Sequence, residues 1–264
     1  MNMTTGRRGI VWKTPDITAD GLKMFACIVM LIQTVGIAVI EKGLIHLDQY
    51  TQESLNQAMS QDSRLMTLAG IGSIMQLIGG MAIPVFAFLL VEGFLHTRDV
   101  KKYLARMLTF AVVSEIPFDL AVFHTPFYWG YQNVFFTLFL GLLALAGENV
   151  VHQSSGMFAG AGLWKQAFVL ILCVGTAQLI NCDYGAFGVF FIILLYMTRY
   201  DKKTQTILGA ISLIWELPGI LAFIPIRLYN GTRGRCGNRY FFYAFYPVHL
   251  LALWVAGRFI FKLF

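Results

Sequence analysis

An all-α, polytopic membrane bundle of about eight transmembrane helices, the second kinked or broken, is the fold class this sequence predicts. Composition and the spacing of its apolar runs carry that expectation. The chain has 264 residues, of which 57% are hydrophobic and 13% charged, where an ordinary soluble domain has about 45–50% and about 25%. Mean hydropathy is +0.66, and the apolar residues gather in runs of about 20, the length a helix needs to cross hydrocarbon. A soluble domain of this size keeps roughly a quarter of its chain surface in water, more than so few polar side chains can cover. A cytosolic enzyme, a disordered scaffold and a secreted disulfide module are excluded on that ground.

Taken in order, residues 1–21 (MNMTTGRRGIVWKTPDITADG) are polar and basic, and no small-residue cleavage site follows. They are expected to form a cytoplasmic leader into an uncleaved first span, with residues 22–264 a single transmembrane helical domain. Apolar runs mark spans at roughly 22–40, 66–95, 103–123, 131–151, 160–180, 184–199, 205–226 and 240–262. The second is too long for a straight crossing and holds Gly79, Gly80 and Pro84. Such residues break a helix where neighbouring helices satisfy the freed backbone groups. The sixth run is short, and Pro218 and Pro225 interrupt the seventh.

The chain carries 20 Lys and Arg against 14 Asp and Glu. In a membrane protein such an excess reports topology, because cytoplasmic loops collect cations; the basic residues form no nucleic-acid-binding pattern. With eight spans and the amino terminus inside, 14 of the 20 cations fall in inner segments, which puts both termini in the cytoplasm. Arg227, Arg233, Arg235 and Arg239, around Asn230-Gly231, resist that count. Either a span is miscounted, or the loop is functional and folds back into the protein. Cys27 and Cys173 lie in apolar runs, while Cys182 and Cys236 would share a side, there to pair or to remain free thiols.

Ionisable groups at membrane depth cost a few kcal/mol each and mark internal sites. Here they are Glu92, Glu115, Asp119, Glu148, Glu216 and His249. Glu115 and Asp119 stand four apart on one helix face; they can orient a base, hold a cation or an amine, or lock helix to helix. His249, in FYAFYPVHL, is the best general-base candidate because its reference pKa is near neutral; the alternative is a packing hydrogen-bond donor. Arg98, Lys101, Lys102 and Arg106 put four cations between spans two and three, suited to topology anchoring or to a phosphate clamp. Gln132, Asn133, Thr137 and Asp183-Tyr184 are polar groups that a substrate or a neighbouring helix must satisfy. No metal-ligand spacing, P-loop, GxGxxG, GxSxG or HExxH occurs, so ATPase, Rossmann, serine-hydrolase and zinc-protease readings have no support.

The strings IPVFAFLLVEGFLHTRDVKKYLARML, SEIPFDL, QNVFFTLFLGLLAL, DYGAFGV, LYNGTRG and FFYAFYPVHLLAL occur in that order from about residue 80 onward. Together they resemble the TraX family of bacterial membrane proteins, whose founding member acts in conjugation and is linked to N-terminal acetylation of the pilin subunit. The family is similar in turn to integral-membrane acyltransferases, whose Gly-Phe-Leu run and following Arg match Gly93, Phe94, Leu95 and Arg106 here. The resemblance implies a multi-pass protein of the bacterial cytoplasmic (inner) membrane, embedded in the lipid bilayer. Its implied co-substrate is acetyl-CoA or another acyl-CoA, without a metal, and its implied acceptor is the N-terminal amine or a hydroxyl of a small, pilin-like peptide or another surface acceptor. On that reading Arg98, Lys101, Lys102 and Arg106 contact the CoA phosphates, and His249, Glu115, Asp119 and Glu92 are candidates for taking the acceptor's proton. Asn133, Asp183, Tyr184, Tyr229, Asn230 and Tyr246 are candidates for holding the substrate. Relatives commonly show an Asp-His pair in the first span, where this chain has Gln33-Thr34. That departure favours the alternative, a non-catalytic membrane component that binds or passes a hydrophobic peptide or small solute.

Overall fold

The computed structural model describes residues 16–154, 159–214, 216–234 and 239–261. The leader as far as residue 15, Arg235 and Cys236 lie outside the described residues. Helix α1 (Ala19–Val35) starts at Thr18, whose side chain accepts from the Gly21 amide, and continues as a π-helical stretch, Gly36–Ile45. A short polar helix, α2 (Gln52–Gln61), leads to α3 (Ser63–Gly79), capped by Asp62, and then to α4 (Ala82–His96). Next come α5 (Val100–Phe123), α6 (Val134–Ser154), α7 (Ala159–Leu179) and α8 (Gly185–Met197). Three short helices follow, α9 (Lys202–Ser212), α10 (Leu217–Leu221) and α11 (Phe223–Arg227). The last is α12 (Arg239–Val255), with a π-helical end at Ala256–Phe261. Among the described residues the only β pairing is two isolated bridges, so the expected helical bundle stands.

Ala19–Ile45, Ser63–His96 and Tyr240–Phe259 are long and apolar enough to cross a membrane. Ile74, Val112, Leu172 and Phe190 are each more than half exposed, a belt that water would aggregate and hydrocarbon solvates. Inside, Leu22, Val85, Val91, Leu142, Val189, Ile192 and Leu195 are almost fully buried. Small residues let the helices approach: a Cβ on Gly141 would lie 2.3 Å from Ile192 Cδ1. Asp99 caps α5 by accepting from the Lys102 amide. That bond first, and the Lys102 ammonium after it, hold its carboxyl below the usual range.

The expected break in the second span falls at Gly80-Met81, between α3 and α4. The reason is contact. A Cβ on Gly79 would sit 2.2 Å from Gln33 Cβ, and one on Gly80 would sit 3.0 Å from Glu216 Oε1. Two other parts of the chain therefore meet the helix where it is interrupted.

The seventh apolar run departs from the expectation. Helix α9 starts beside the end of α8, where Gln205 donates to the Leu195 carbonyl, and turns around Glu216 against the break. Pro218, in the first turn of α10, and the close fit of Gly219 to the Gly80 carbonyl hold the reversal, and α10 and α11 lead back. Loop residues then pair with the start of the chain: Ile17 N donates to Leu228 O (2.8 Å), Ala19 N to Thr232 O (2.9 Å), Asp20 N to Arg233 O (3.1 Å) and Asn230 N to Ile17 O (3.0 Å). The run is a re-entrant hairpin, tolerated because its bent backbone is covered by protein. Two corrections follow. The Arg-rich loop lies at the same end of the bundle as residues 17–20. Helix α12 then starts at that end, with Phe242 under Lys23, and finishes where its π-helical tail meets the stretch 36–45. Residues 16 and 261 thus sit at opposite ends, not at one end as eight crossings require.

Candidate functional site

Two cavities lie between the helices. The first opens at the end that holds residues 17–20 and has a volume of about 380 Å³. Its polar lining is Lys23 from α1, His96 and Thr97 after α4, Tyr103 and Arg106 from α5, Arg233 from the loop, and Tyr243 from α12. Among the described residues no Asp or Glu lines it. Lys23 pairs with the buried Asp20 at 2.9 Å and lies 5.1 Å above the Phe242 ring. The Arg106 guanidinium lies 5.7 Å from the Tyr103 ring centroid, and its Nε is buried without a hydrogen-bond partner. With Asp20 offsetting Lys23 alone, the lining keeps an excess of cations and is suited to an anion.

The second cavity, of about 360 Å³, lies further along α1, beside Gln33 and Ala38, and is lined by an acid instead of cations. Gln33, Thr34, Tyr131, Asp183, Tyr184 and Tyr246 line it, with Phe86, Phe118 and Phe123 among its apolar walls. Among the described residues that line it, Asp183 is the one acidic side chain, and none is Lys or Arg. The Tyr131 hydroxyl donates to Asp183 Oδ1 at 2.8 Å, the Asp183 amide donates to the Gln132 carbonyl at 2.8 Å, and the Thr137 hydroxyl donates to the Asp183 carbonyl. The next residue, Tyr184, holds a left-handed backbone, φ 62°. For a bulky side chain that costs on the order of 1–3 kcal/mol and persists when surrounding contacts enforce it. Those contacts are hydrogen bonds of the Tyr184 hydroxyl to Gln33 and to Glu216, which join α1, the Asp183 turn and the tip of the hairpin.

Met30, Phe86, Val134 and Tyr246 line both cavities. They form a shared wall, so an occupant of one cavity lies within side-chain reach of an occupant of the other. Tyr246 is 5% exposed, is hydrogen-bonded to the Val134 backbone and packs edge-on against Phe135 at 5.2 Å. Met30 is the flexible member of the wall.

The residues singled out from sequence divide between these cavities and the helix contacts around them. Arg106 lines the outer cavity, Asp183 and Tyr184 the inner one, and Tyr246 both. Arg98, Lys101 and Lys102 are exposed and line neither; Lys102 pairs with Asp99 at 3.2 Å. Glu115 accepts from the Asn133 side chain, which also donates to the Ala111 carbonyl at 2.8 Å. Asp119 accepts from the Tyr128 amide at 2.8 Å. Glu115, Asp119 and Asn133 therefore tie α5 to the start of α6 and to the loop between them. Glu92 meets the Tyr229 hydroxyl and stands 3.8 Å from His96 Nδ1. Asn230 joins Asp16 at 3.3 Å and the Thr232 amide at 2.9 Å, closing its own loop. His249 Nδ1 shares a hydrogen bond with the Phe245 carbonyl at 2.8 Å, and the residue lines neither cavity. Cys182 is buried, and its suggested partner lies outside the described residues.

Sequence reasoning missed Lys23 and Arg233 as cavity residues, and Gln33, Tyr103 and Tyr131 beside them. Arg233 did leave a signal, since its loop carried cations on the wrong side of the eight-span count. The others carry no motif, because each is a single residue brought in by a different helix.

A helical membrane protein with two adjoining cavities of opposite charge is the class that these features define. The chain belongs to the TraX family: the family described as TraX protein matches residues 18–256. It is similar to the protein described as "Probable fimbrial assembly protein FimC, serogroup H1" of Dichelobacter nodosus, 30% identical over 236 residues, with 77% of this chain and 92% of that protein covered. No solved structure matches the chain.

Proposed function

We propose that this protein is a pilin-related membrane acyltransferase that takes an acyl group, acetyl in the simplest case, from acyl-CoA and passes it to the amine of a peptide acceptor. The observation that carries the reading is the shared wall between a cavity lined by three cations and a cavity lined by one carboxylate. An anionic, phosphorylated donor fits the first and an amine fits the second. Family membership and the fimbrial-assembly relative support a pilin-like acceptor, as does the long apolar wall of the inner cavity.

On this reading the thioester reaches the wall between Met30 and Tyr246. Asp183 takes one proton from the acceptor ammonium and later gives it up to solvent. The freed amine nitrogen attacks the thioester carbonyl and the C–N bond forms. As the C–S bond breaks, the nitrogen's second proton passes to the departing sulfur, so that CoA leaves as the thiol and the product is a neutral amide. Positioning by the two cavities and proton transfer by one carboxylate are the catalytic elements. The end carrying Lys23, Arg98, Lys101, Lys102, Arg106, Arg199, Lys202, Lys203, Arg227 and Arg233 faces the cytoplasm by the rule that inner loops collect cations. Acyl-CoA is supplied from that side, and residue 261 falls at the opposite face of the cytoplasmic membrane.

Isothermal titration of the purified protein with acetyl-CoA and with desulfo-CoA tests the donor half. Saturable binding of both, lost in Arg106→Ala, is the expected result. No binding at millimolar ligand by folded protein would overturn the reading in favour of a non-catalytic component, the role that Gln33-Thr34 in the first span favours.

A further inference from the structure

The outer cavity's cations come from three places. Lys23 stands on the first helical turns, Arg106 stands on α5, and Arg233 lies some two hundred residues beyond Lys23 in the sequence. What brings Arg233 there is the clasp between residues 17–20 and 228–233, four backbone hydrogen bonds of 2.8–3.1 Å and a parallel bridge from Ile17 to Tyr229. The clasp has further fastenings. Asn230 reaches back to Asp16, and Gly234, at φ +90°, fits so closely that a Cβ would stand 2.7 Å from Thr18 Oγ1. An exposed loop held this firmly to the start of the chain has a fixed place for its side chain. Arg233 is exposed yet lines the mouth, so holding it there serves something other than core packing. Around the same mouth Tyr103, Phe242 and Tyr243 supply aromatic lining, with Lys23 already over the Phe242 ring and Tyr243 stacked on Phe110.

We infer that Lys23, Arg106 and Arg233 form one phosphate-binding site, assembled by this clasp, for the nucleotide end of the donor. The inference rests on the acyl-CoA reading for its ligand and names the residues that hold it. It also separates the site from the conspicuous run Arg98, Lys101 and Lys102, which faces solvent outside the cavity. Asp20 neutralises part of the Lys23 charge, so Arg106 and Arg233 supply most of the attraction. Phosphate esters bind such guanidinium pairs through charge-assisted hydrogen bonds.

The test is competition by ADP, which has the phosphates and base but no thioester, against fluorescent CoA on the whole protein in neutral-lipid nanodiscs. Arg233→Gln weakens both CoA and ADP by roughly tenfold or more, and Lys23→Gln weakens them less. The double variant Lys101→Gln, Lys102→Gln leaves both unchanged. Arg233 is exposed in a loop, so its variant folds, and thermal unfolding equal to the wild type verifies that. Equal ADP affinity in Arg233→Gln and wild type overturns the inference, as does loss of affinity in the Lys101, Lys102 variant alone. If Arg233→Gln instead alters only the response to added phosphatidylglycerol, the site belongs to a lipid headgroup and the inference is overturned. ADP and CoA binding that depends on Arg233, with no acyl transfer to any peptide, would sustain the site while removing the acyltransferase reading.

Discussion

The two cavities are alike in size and opposite in construction. The outer one draws its charged groups from three separated segments, with a backbone clasp to hold one of them. The inner one has a single carboxylate, fixed by a tyrosine hydroxyl at 2.8 Å and by the turn on which it sits. An outer site open to water needs several cations, because solvent screens each of them. In the second cavity the half-buried Asp183 is the one acidic side chain among the described lining residues, in keeping with a cost of a few kcal/mol for each ionisable group at membrane depth. The difference teaches that the sign of the charge changes along the bundle, and that the count of ionisable residues in a span does not locate the cavities.

The sharpest way to break that comparison is at Asp183. Asp183→Asn should lower acetyl transfer to an N-terminally free peptide by about 100-fold or more while acetyl-CoA affinity stays at the wild-type value. A loss of donor affinity instead would merge the two sites into one. Arg106→Ala reverses the pattern, weakening the donor by about 1.5–3 kcal/mol, or roughly 10- to 100-fold, as read by titration. Next in size are changes to the frame. Gly79→Ala forces a methyl against Gln33 and should cost about 1–3 kcal/mol of stability. Asn133→Ala removes the side-chain donor to Glu115 and leaves it only the weaker backbone amide of residue 133, which should cost about 1–3 kcal/mol. Thermal unfolding in detergent measures both; Gly79→Ala, which displaces the cavity residue Gln33, should also slow transfer at unchanged donor affinity, whereas Asn133→Ala should leave their ratio at the wild-type value. The smallest effect belongs to His249→Ala. That residue lines neither cavity, so a folded variant should transfer at the wild-type rate, and a variant that binds donor without transferring would return His249 to the reaction.

The bundle was legible because apolar run length measures bilayer thickness directly, and the break near Gly79-Gly80 because two glycines and a proline leave a local mark. The hairpin was less so. Its run of 205–226 is as long and greasy as a span, and Pro218 and Pro225 were the sole hint that it turns back. Of the site, Arg106, Asp183, Tyr184 and Tyr246 could be picked out as polar or aromatic residues in apolar strings. Glu115 and Asp119 were equally conspicuous, yet they join helices. A sequence records that a buried carboxylate needs a partner, and the fold decides whether that partner is the Asn133 amide or a substrate. Lys23 and Arg233 could not be paired, because the clasp that unites them is made of backbone hydrogen bonds, to which side-chain identity contributes little.

On the proposed reading, donor and acceptor meet at the wall formed by Met30, Phe86, Val134 and Tyr246. Met30→Trp tests it most directly, by filling the wall while leaving both charged ends untouched. Acetyl-CoA affinity and acetyl transfer to an N-terminally free apolar peptide would be measured on the same preparation. Donor affinity close to wild type with transfer abolished is the result this account predicts. Transfer at the wild-type rate through a blocked wall would contradict it.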